Sequence, residues 1–458
     1  MIEFTVKDVA ETTNGRLFSK KPVTLIKGFS IDSRVLKPGQ FFIALEGKNF
    51  SGHDFIPEAL EKGASGLIVE DIRDMSGLER EDHVICVKDT REAMGRIAAE
   101  IRRRVPILAV CITGTNGKTT TKDILAHILS KKFKVLKSAG SYNNIIGLSL
   151  TLFDLDPTYD VAVLELGSNH PGEIPGLARI AAPCMAVITN VGDGHLEHFA
   201  NREGIFLEKI SLLDFLPETG MAFLNRDDSL LVRAGARRVM KKFYGTSTGS
   251  DFLITGISRK GDGCVFSLND DDFFIPLEGE HNVYNASAAI AVAEYFGVNP
   301  AEIRKALEEV SLPEMRIERT EVSGVKFIND SYNANPDSFE CALKVLQNCG
   351  PGSRKGVVAG DMLELGDMSD EFHRMIGRSI AGKGMDFLIV LGEEAEYIIE
   401  GAIGSGMEKS RVLCAGSHEH AAEMLRQMAP PGTVVLLKGS REARIEGVLE
   451  CFTTSCIH

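Results

Sequence analysis

The chain reads as an α/β protein of three domains: a smaller N-terminal α/β domain over residues 1–105, a central parallel sheet over 106–314, and a C-terminal Rossmann-like doubly wound sheet over 315–458. Three observations predict this. The 458 residues exceed what one hydrophobic core organises. The apolar run Ile107 to Ile112 breaks at Thr113-Gly114 and resumes as an amphipathic helix with Ile124, Leu125, Ile128 and Leu129 on one face, so strand, loop and helix follow one another. Beyond residue 350, three further apolar runs, 356–360, 387–392 and 433–441, alternate with helical stretches, the pattern of a doubly wound parallel sheet.

Composition narrows the partners. A net charge of -13 argues against nucleic acid or an anionic membrane surface, since both demand basic surface. Nine cysteines without CxxC or Cys/His spacing predict reduced thiols in a cytoplasmic protein. The start, MIEFTVKDVAETTNG, carries charges and no long apolar run, so neither a signal peptide nor membrane insertion is expected.

In the first domain a strand ending at Ile31 leads into Asp32-Ser33-Arg34. Ser33 and Arg34 offer a hydroxyl and a bidentate fork to an anionic ligand, or form an ordinary turn with a solvent-facing arginine. A second polar stretch, Glu46 to Phe55, follows the strand at 41–45.

The central domain opens on Gly114-Thr115-Asn116-Gly117-Lys118-Thr119-Thr120. Two glycines let the backbone curl so that its N–H groups face inward at a helix N-terminus, where they hold phosphate oxygens. This is a P-loop in a short form, because the usual glycine six residues before the lysine is Ile112. Lys118 would reach the β- and γ-phosphates of ATP, and Thr119 would ligate Mg²⁺. Ligands of open α/β sheets bind beyond the carboxyl ends of strands. Two other strands end there in Glu165 and in the stretch that carries His195. Glu165 suits a hard cation or a helix dipole; His195 suits a metal or a hydrogen bond. Lys209, on an apolar helix, either snorkels to solvent or is buried with a depressed pKa, and then its neutral amine can take up carbon dioxide. Asn282 opens an alanine-rich helix and either reads adenine or caps the helix.

A linker near Pro313 to Arg316 leads into the third domain, where Asn329 to Asp337 gathers seven hydrogen-bonding side chains in a tight loop. Such density needs a ligand or water to satisfy it.

Seven strings in order, TGTNGKTT, ELGSNHPGEI, TNVGDGHLEHF, HNVYNASAA, NDSYNANPDS, GDMLELGD and LLKGSR, together resemble the Mur ligases, which form amide bonds with ATP in peptidoglycan precursor synthesis. NDSYNANPDS, GDMLELGD and LLKGSR resemble the dipeptide-adding branch. The resemblance implies UDP-N-acetylmuramoyl-tripeptide and D-alanyl-D-alanine as substrates, an acyl-phosphate intermediate, and a monomeric enzyme. It implies two Mg²⁺ sites, the first with Thr119 and Glu165, the second with His195 and a carbamylated Lys209. Lys118, His195 and Lys209 are the implied catalytic residues. Asn282 falls at the adenine position, Arg316 and Asp330 at positions holding ribose and phosphates. Ser33 and Arg34 fall on the UDP-sugar side, and Asn333, Lys438 and Ser440 at the substrate junction. Two alternatives stay open: a ligase of the same superfamily with another amine, and a nucleotide-binding regulatory module.

Overall fold

The computed structural model describes residues 4–47, 50–70, 83–236, 239–311, 315–350 and 352–454. Lys48 and Asn49 of the N-terminal polar stretch, and Pro313 and Glu314 of the expected linker, lie outside the described residues.

Three main sheets divide the chain in sequence order, as the three-domain α/β expectation requires. The first runs Arg16–Phe18, His83–Cys86, Gly66–Val69, Phe41–Ile43, Phe29–Ser30, parallel except at its Arg16–Phe18 edge. The third runs Glu318–Val322, Val325–Asn329, Val434–Lys438, Lys355–Ala359, Phe387–Val390, Val412–Cys414, again parallel except for its first strand.

The central sheet has nine strands and is not purely parallel. Strands Phe252–Lys260, Gly263–Leu268 and Asp271–Ile275 form an antiparallel extension. In Gly263–Leu268 and Asp271–Ile275 buried residues recur about every second position, whereas Phe252–Lys260 is mostly exposed, which suits strands that keep one face in water. The strand that matters most, Leu108–Thr113, lies between Val161–Glu165 and Met185–Ile188. Register pairs Glu165 with Ile112 and Ile188 with Thr113, so three strand ends finish level at one edge.

Helices Lys118–Ser130 and Glu280–Tyr295 cover one face of that sheet, with Ile124, Leu125 and Ile128 packed against Val283, Ala286 and Ile290. On the other face lies helix Thr90–Arg104, started by the Asp89 carboxylate, which accepts the Glu92 N–H at 2.8 Å. Its Ile97 and Ile101 join one core with residues of the N-terminal and central sheets. The buried Arg102 guanidinium ties this helix to the central unit. It donates to the carbonyls of Ala181 (2.9 Å), Val105 (2.8 Å), Ile107 (2.7 Å) and Ala182 (3.2 Å). Among the described residues no helix is long and apolar enough to cross a membrane.

Removing Arg102 takes one donor from each of four carbonyls, of which that of Val105 keeps a backbone partner, the Ile107 N–H at 2.9 Å. Arg102→Ala is expected to lower stability by about 3 kcal/mol, read as an earlier first transition in urea, whereas Arg104→Ala should stay within about 1 kcal/mol.

Candidate active site

The phosphate loop begins where strand Leu108–Thr113 stops. Gly114 has φ +148°, and a Cβ there would stand 1.9 Å from the Thr189 hydroxyl; at Gly117, φ +82°, it would stand 2.2 Å from the Asn285 amide oxygen. Only glycine fits either place. The turn is pinned by the neighbouring strand end: Asn116 N–H donates to Asn190 Oδ1 at 2.9 Å, and its carbonyl accepts from Thr189 Oγ1 at 2.6 Å and Asn190 Nδ2 at 3.0 Å. Helix Lys118–Ser130 then starts at Gly117 with no side-chain cap, which leaves its first N–H groups for an anion. Lys118 Nζ lies across the turn on the carbonyls of Gly114 (2.9 Å) and Thr115 (3.0 Å), and burial lowers its pKa.

Beside the loop sits Glu165, 1% exposed. Its Oε1 accepts from Asn143 Nδ2 at 2.9 Å, while Oε2 is buried without a hydrogen-bond donor among the described residues. The nearest cation to Oε2 is the buried Lys122 ammonium, at 3.9 Å. A buried carboxylate oxygen left in this way favours a hard cation, and the Thr119 hydroxyl opens the neighbouring helix turn. Among the described residues no three His, Cys, Asp or Glu side chains gather closely enough to hold a metal alone, so a cation here would need further oxygens from a ligand.

Lys209 is 2% exposed. Burial, then the nearby Lys118 charge, lowers its pKa to about 7. The neighbouring Glu208 carboxylate, which accepts the N–H groups of Gly172 (2.8 Å) and Ile174 (2.7 Å), offsets this only in part. Of the two sequence alternatives, snorkelling is excluded by this burial. The half-neutral amine that remains is the form that reacts with carbon dioxide.

These groups border a cleft of about 1190 Å³ between the central and third domains. Thr115 to Thr120, Glu165, His195 and Asn282 face it from the central domain; Arg316, Asp330, Asn333, Lys438 and Ser440 face it from the third. Gly114, Lys209, Ser33 and Arg34 are not among the residues that line it. Ser33 Oγ donates to Glu58 Oε2 at 2.7 Å, and the Arg34 fork rests on Asp32 of its own turn at 2.8 Å.

His195, at φ +61°, stands just ahead of the short helix Leu196–Phe199, and its Nδ1 is hydrogen-bonded to Glu364 Oε2. That bond holds the Glu364 carboxyl below its usual range. Asn282 lies inside helix Glu280–Tyr295 rather than capping it; its amide donates to the Glu278 carbonyl at 2.8 Å and accepts from Asn285 at 3.2 Å. Arg316 reaches Thr119 Oγ1 at 3.2 Å and lies 4.3 Å over the Tyr332 ring. Both its neighbours, Met315 (φ +58°) and Ile317 (φ +54°), adopt left-handed backbone, a strain typical of a side chain held in place for use.

The loop at 329–337 needs no ligand to satisfy it, contrary to the sequence expectation, because the protein supplies the partners. Lys438 Nζ bonds Asp330 Oδ2 (2.5 Å) and the carbonyls of Asp330 (3.2 Å) and Asn333 (3.0 Å); Asn335 exchanges two amide bonds with Asn116 of the phosphate loop, at 2.9 and 3.3 Å. Ser440 Oγ accepts the Leu363 N–H at 2.8 Å. Sequence reasoning gave no role to Asn143, Lys122, Asn335 or Glu364; the last two sit in motifs whose polar density was the available signal.

A nucleotide-phosphate loop, an acid beside it and a third domain bearing on both define an ATP-using enzyme of three α/β units. The chain belongs to the Mur ligase family: the Mur ligase middle domain matches residues 112–293, the Mur ligase glutamate ligase domain 315–441, and the Mur ligase family catalytic domain 25–102. It is 36% identical to UDP-N-acetylmuramoyl-tripeptide--D-alanyl-D-alanine ligase of Bacillus subtilis, over 98% of both chains. Among solved structures it resembles MurF from Acinetobacter baumannii (TM-score 0.89, 30% identity, 99% of both chains). It also resembles MurF ligase from Thermotoga maritima in complex with ADP (TM-score 0.81, 31% identity, 93% of this chain and 97% of that one).

Lys209 provides a pH test. With a folded pKa of about 7 against an ordinary 10.5, the unfolded chain binds the additional proton between these values, so stability rises with pH across that window. Lys209→Met is expected to be more stable than the wild type below pH 7, and thermal unfolding midpoints should show that advantage shrinking as pH approaches about 10.

Proposed function

We propose that this chain joins D-alanyl-D-alanine to UDP-N-acetylmuramoyl-tripeptide, cleaving ATP to ADP and phosphate, as a cytoplasmic monomer. The observation that carries the reading is the meeting, in one cleft, of the phosphate loop, the unpartnered Glu165 oxygen and the Arg316, Asp330 and Asn333 face of the third domain. The names of the relatives support the choice of substrates. Residues 1–105, with Ser33 and Arg34, take the UDP-sugar, residues 106–314 the ATP, and residues 315–458 the dipeptide. Asn282 serves the adenine, and Lys438 and Ser440 shape the junction.

A carboxylate is a poor electrophile, so its oxygen first attacks the γ-phosphorus and ADP departs. The dipeptide nitrogen, as a free amine, then attacks the acyl carbon; the carbon–oxygen bond to phosphate breaks, phosphate leaves, and the nitrogen loses a proton. Loop N–H groups and Lys118 hold the phosphoryl charge as it transfers. Thr119 and Glu165 would hold one Mg²⁺, and His195 with a carbamylated Lys209 the other; these cations would neutralise phosphate charge and align the carboxylate. The third domain, bearing on the loop through Asn335 and Arg316, keeps water from the acyl phosphate.

Phosphate release measured with ATP and UDP-N-acetylmuramoyl-tripeptide should depend on D-alanyl-D-alanine and be at least roughly tenfold slower with single amino acids. Equal rates with single amino acids would exclude the dipeptide reading. Lys118→Ala should lose roughly a hundred- to a thousandfold in kcat. Lys209→Ala should be inactive and recover with short carboxylic acids, which restore an anionic oxygen; inactivity at every acid concentration would count against carbamylation.

A further inference from the structure

The GDMLELGD segment, residues 360–367, has no part in the chemistry so far. It is held rigidly inside the third domain. The Asp361 carboxylate accepts the N–H groups of Glu393 (2.9 Å) and Glu394 (3.1 Å), and Met362 N–H donates to the buried His373 Nε2 at 2.9 Å. Leu363 N–H is taken by Ser440 Oγ at 2.8 Å. From this frame Glu364 crosses to the central domain, where its carbonyl accepts the Glu197 N–H at 3.1 Å and its carboxylate meets His195 Nδ1. Glu364 and His195 both adopt left-handed backbone, φ +62° and +61°. Two strained residues meeting side chain to side chain across a domain boundary indicate a contact the surrounding structure is built to make.

A carboxylate only accepts hydrogen bonds, so the Nδ1 it faces carries a proton, and in the neutral ring the lone pair is then on Nε2. Histidines that bind metals are commonly fixed in this way by a carboxylate on the opposite nitrogen. We propose that Glu364 is a positioning residue for His195: the third domain, seated on the central one, sets the imidazole tautomer and ring orientation that offer Nε2 to a divalent cation at the triphosphate. This rests on the reading of His195 given above. A plain interdomain latch would behave differently, raising KM through a looser cleft while leaving the tautomer and kcat alone.

The experiment compares the full-length wild type with Glu364→Ala and Glu364→Gln, bound to a non-hydrolysable ATP analogue. Nitrogen-15 spectra of histidine-labelled enzyme with Mg²⁺, with His195→Gln to assign the signal, report the tautomer. Mn²⁺ binding by electron paramagnetic resonance reports the cation. Expected are an Nδ1–H tautomer in the wild type and a mixture in Glu364→Ala, with Mn²⁺ affinity and kcat about 10–100-fold lower and substrate KM within about twofold. Glu364→Gln, which keeps an acceptor of the same shape, should restore the tautomer and most of both losses. An unchanged His195 tautomer in Glu364→Ala, or a raised KM with wild-type kcat, overturns the inference. His195→Gln retaining wild-type activity would instead overturn the reading of His195 on which it stands.

Discussion

A buried negative charge with too few partners governs the centre of this molecule. Glu165 ends the strand next to the edge of a nine-stranded sheet, is 1% exposed, and one of its oxygens has no donor among the described residues. The Lys122 ammonium at 3.9 Å is too distant to hydrogen-bond to it. An anion in such a place is costly unless a cation completes it. The sheet sets what lies alongside: because Val161–Glu165 and Met185–Ile188 flank Leu108–Thr113 in register, the acid, the phosphate loop and the Thr189-Asn190 clamp share one edge. Polar cost and ligand chemistry are therefore concentrated at the same point.

The second constraint is that the site is shared between domains. The Asn116–Asn335 amide pair, the Arg316 contact with Thr119 and the Tyr332 hydroxyl on Ser141 all run from the third domain to the phosphate-loop side. Strained backbone at Met315, Ile317, His195 and Glu364 lies along this same boundary. Each contact is modest alone, worth about 1 kcal/mol, so the third domain is held to the phosphate-loop side by several weak bonds rather than one strong one. N-terminal attachment is firmer. Helix Thr90–Arg104 shares a core with the central unit, and Arg102 is buried at the joint.

Much of this was legible in the sequence because it depends on local pattern. The turn from strand to helix at Thr113-Gly114 and the alternating runs after residue 350 specify two sheets without any knowledge of distant contacts. Glu165 and His195 were legible because a strand end in a parallel sheet is where ligands lie. What escaped depends on long-range partners. Asn143 supports Glu165 from 22 residues away, and Glu364 reaches His195 across 169 residues. The polar loop at 329–337 suggested a ligand, yet its donors and acceptors are met by Lys438, Asn116 and Ser141 from elsewhere in the fold. Arg34, by contrast, takes the local alternative that the sequence left open, an exposed arginine whose fork is turned onto Asp32 two residues away. The antiparallel extension at 252–275 was missed because short alternating strands announce themselves less clearly than long apolar ones.

The central claim is that two cation sites, one at Thr119 and Glu165 and one at His195 and Lys209, flank a single triphosphate. Anomalous diffraction from crystals grown with Mn²⁺ and a non-hydrolysable ATP analogue tests it most directly. The account predicts two manganese peaks, one bonded to Glu165 Oε2 and Thr119 Oγ1, the other to His195 Nε2 and an oxygen carried by Lys209. A nucleotide bound in the cleft with both peaks remote from these four side chains would contradict it.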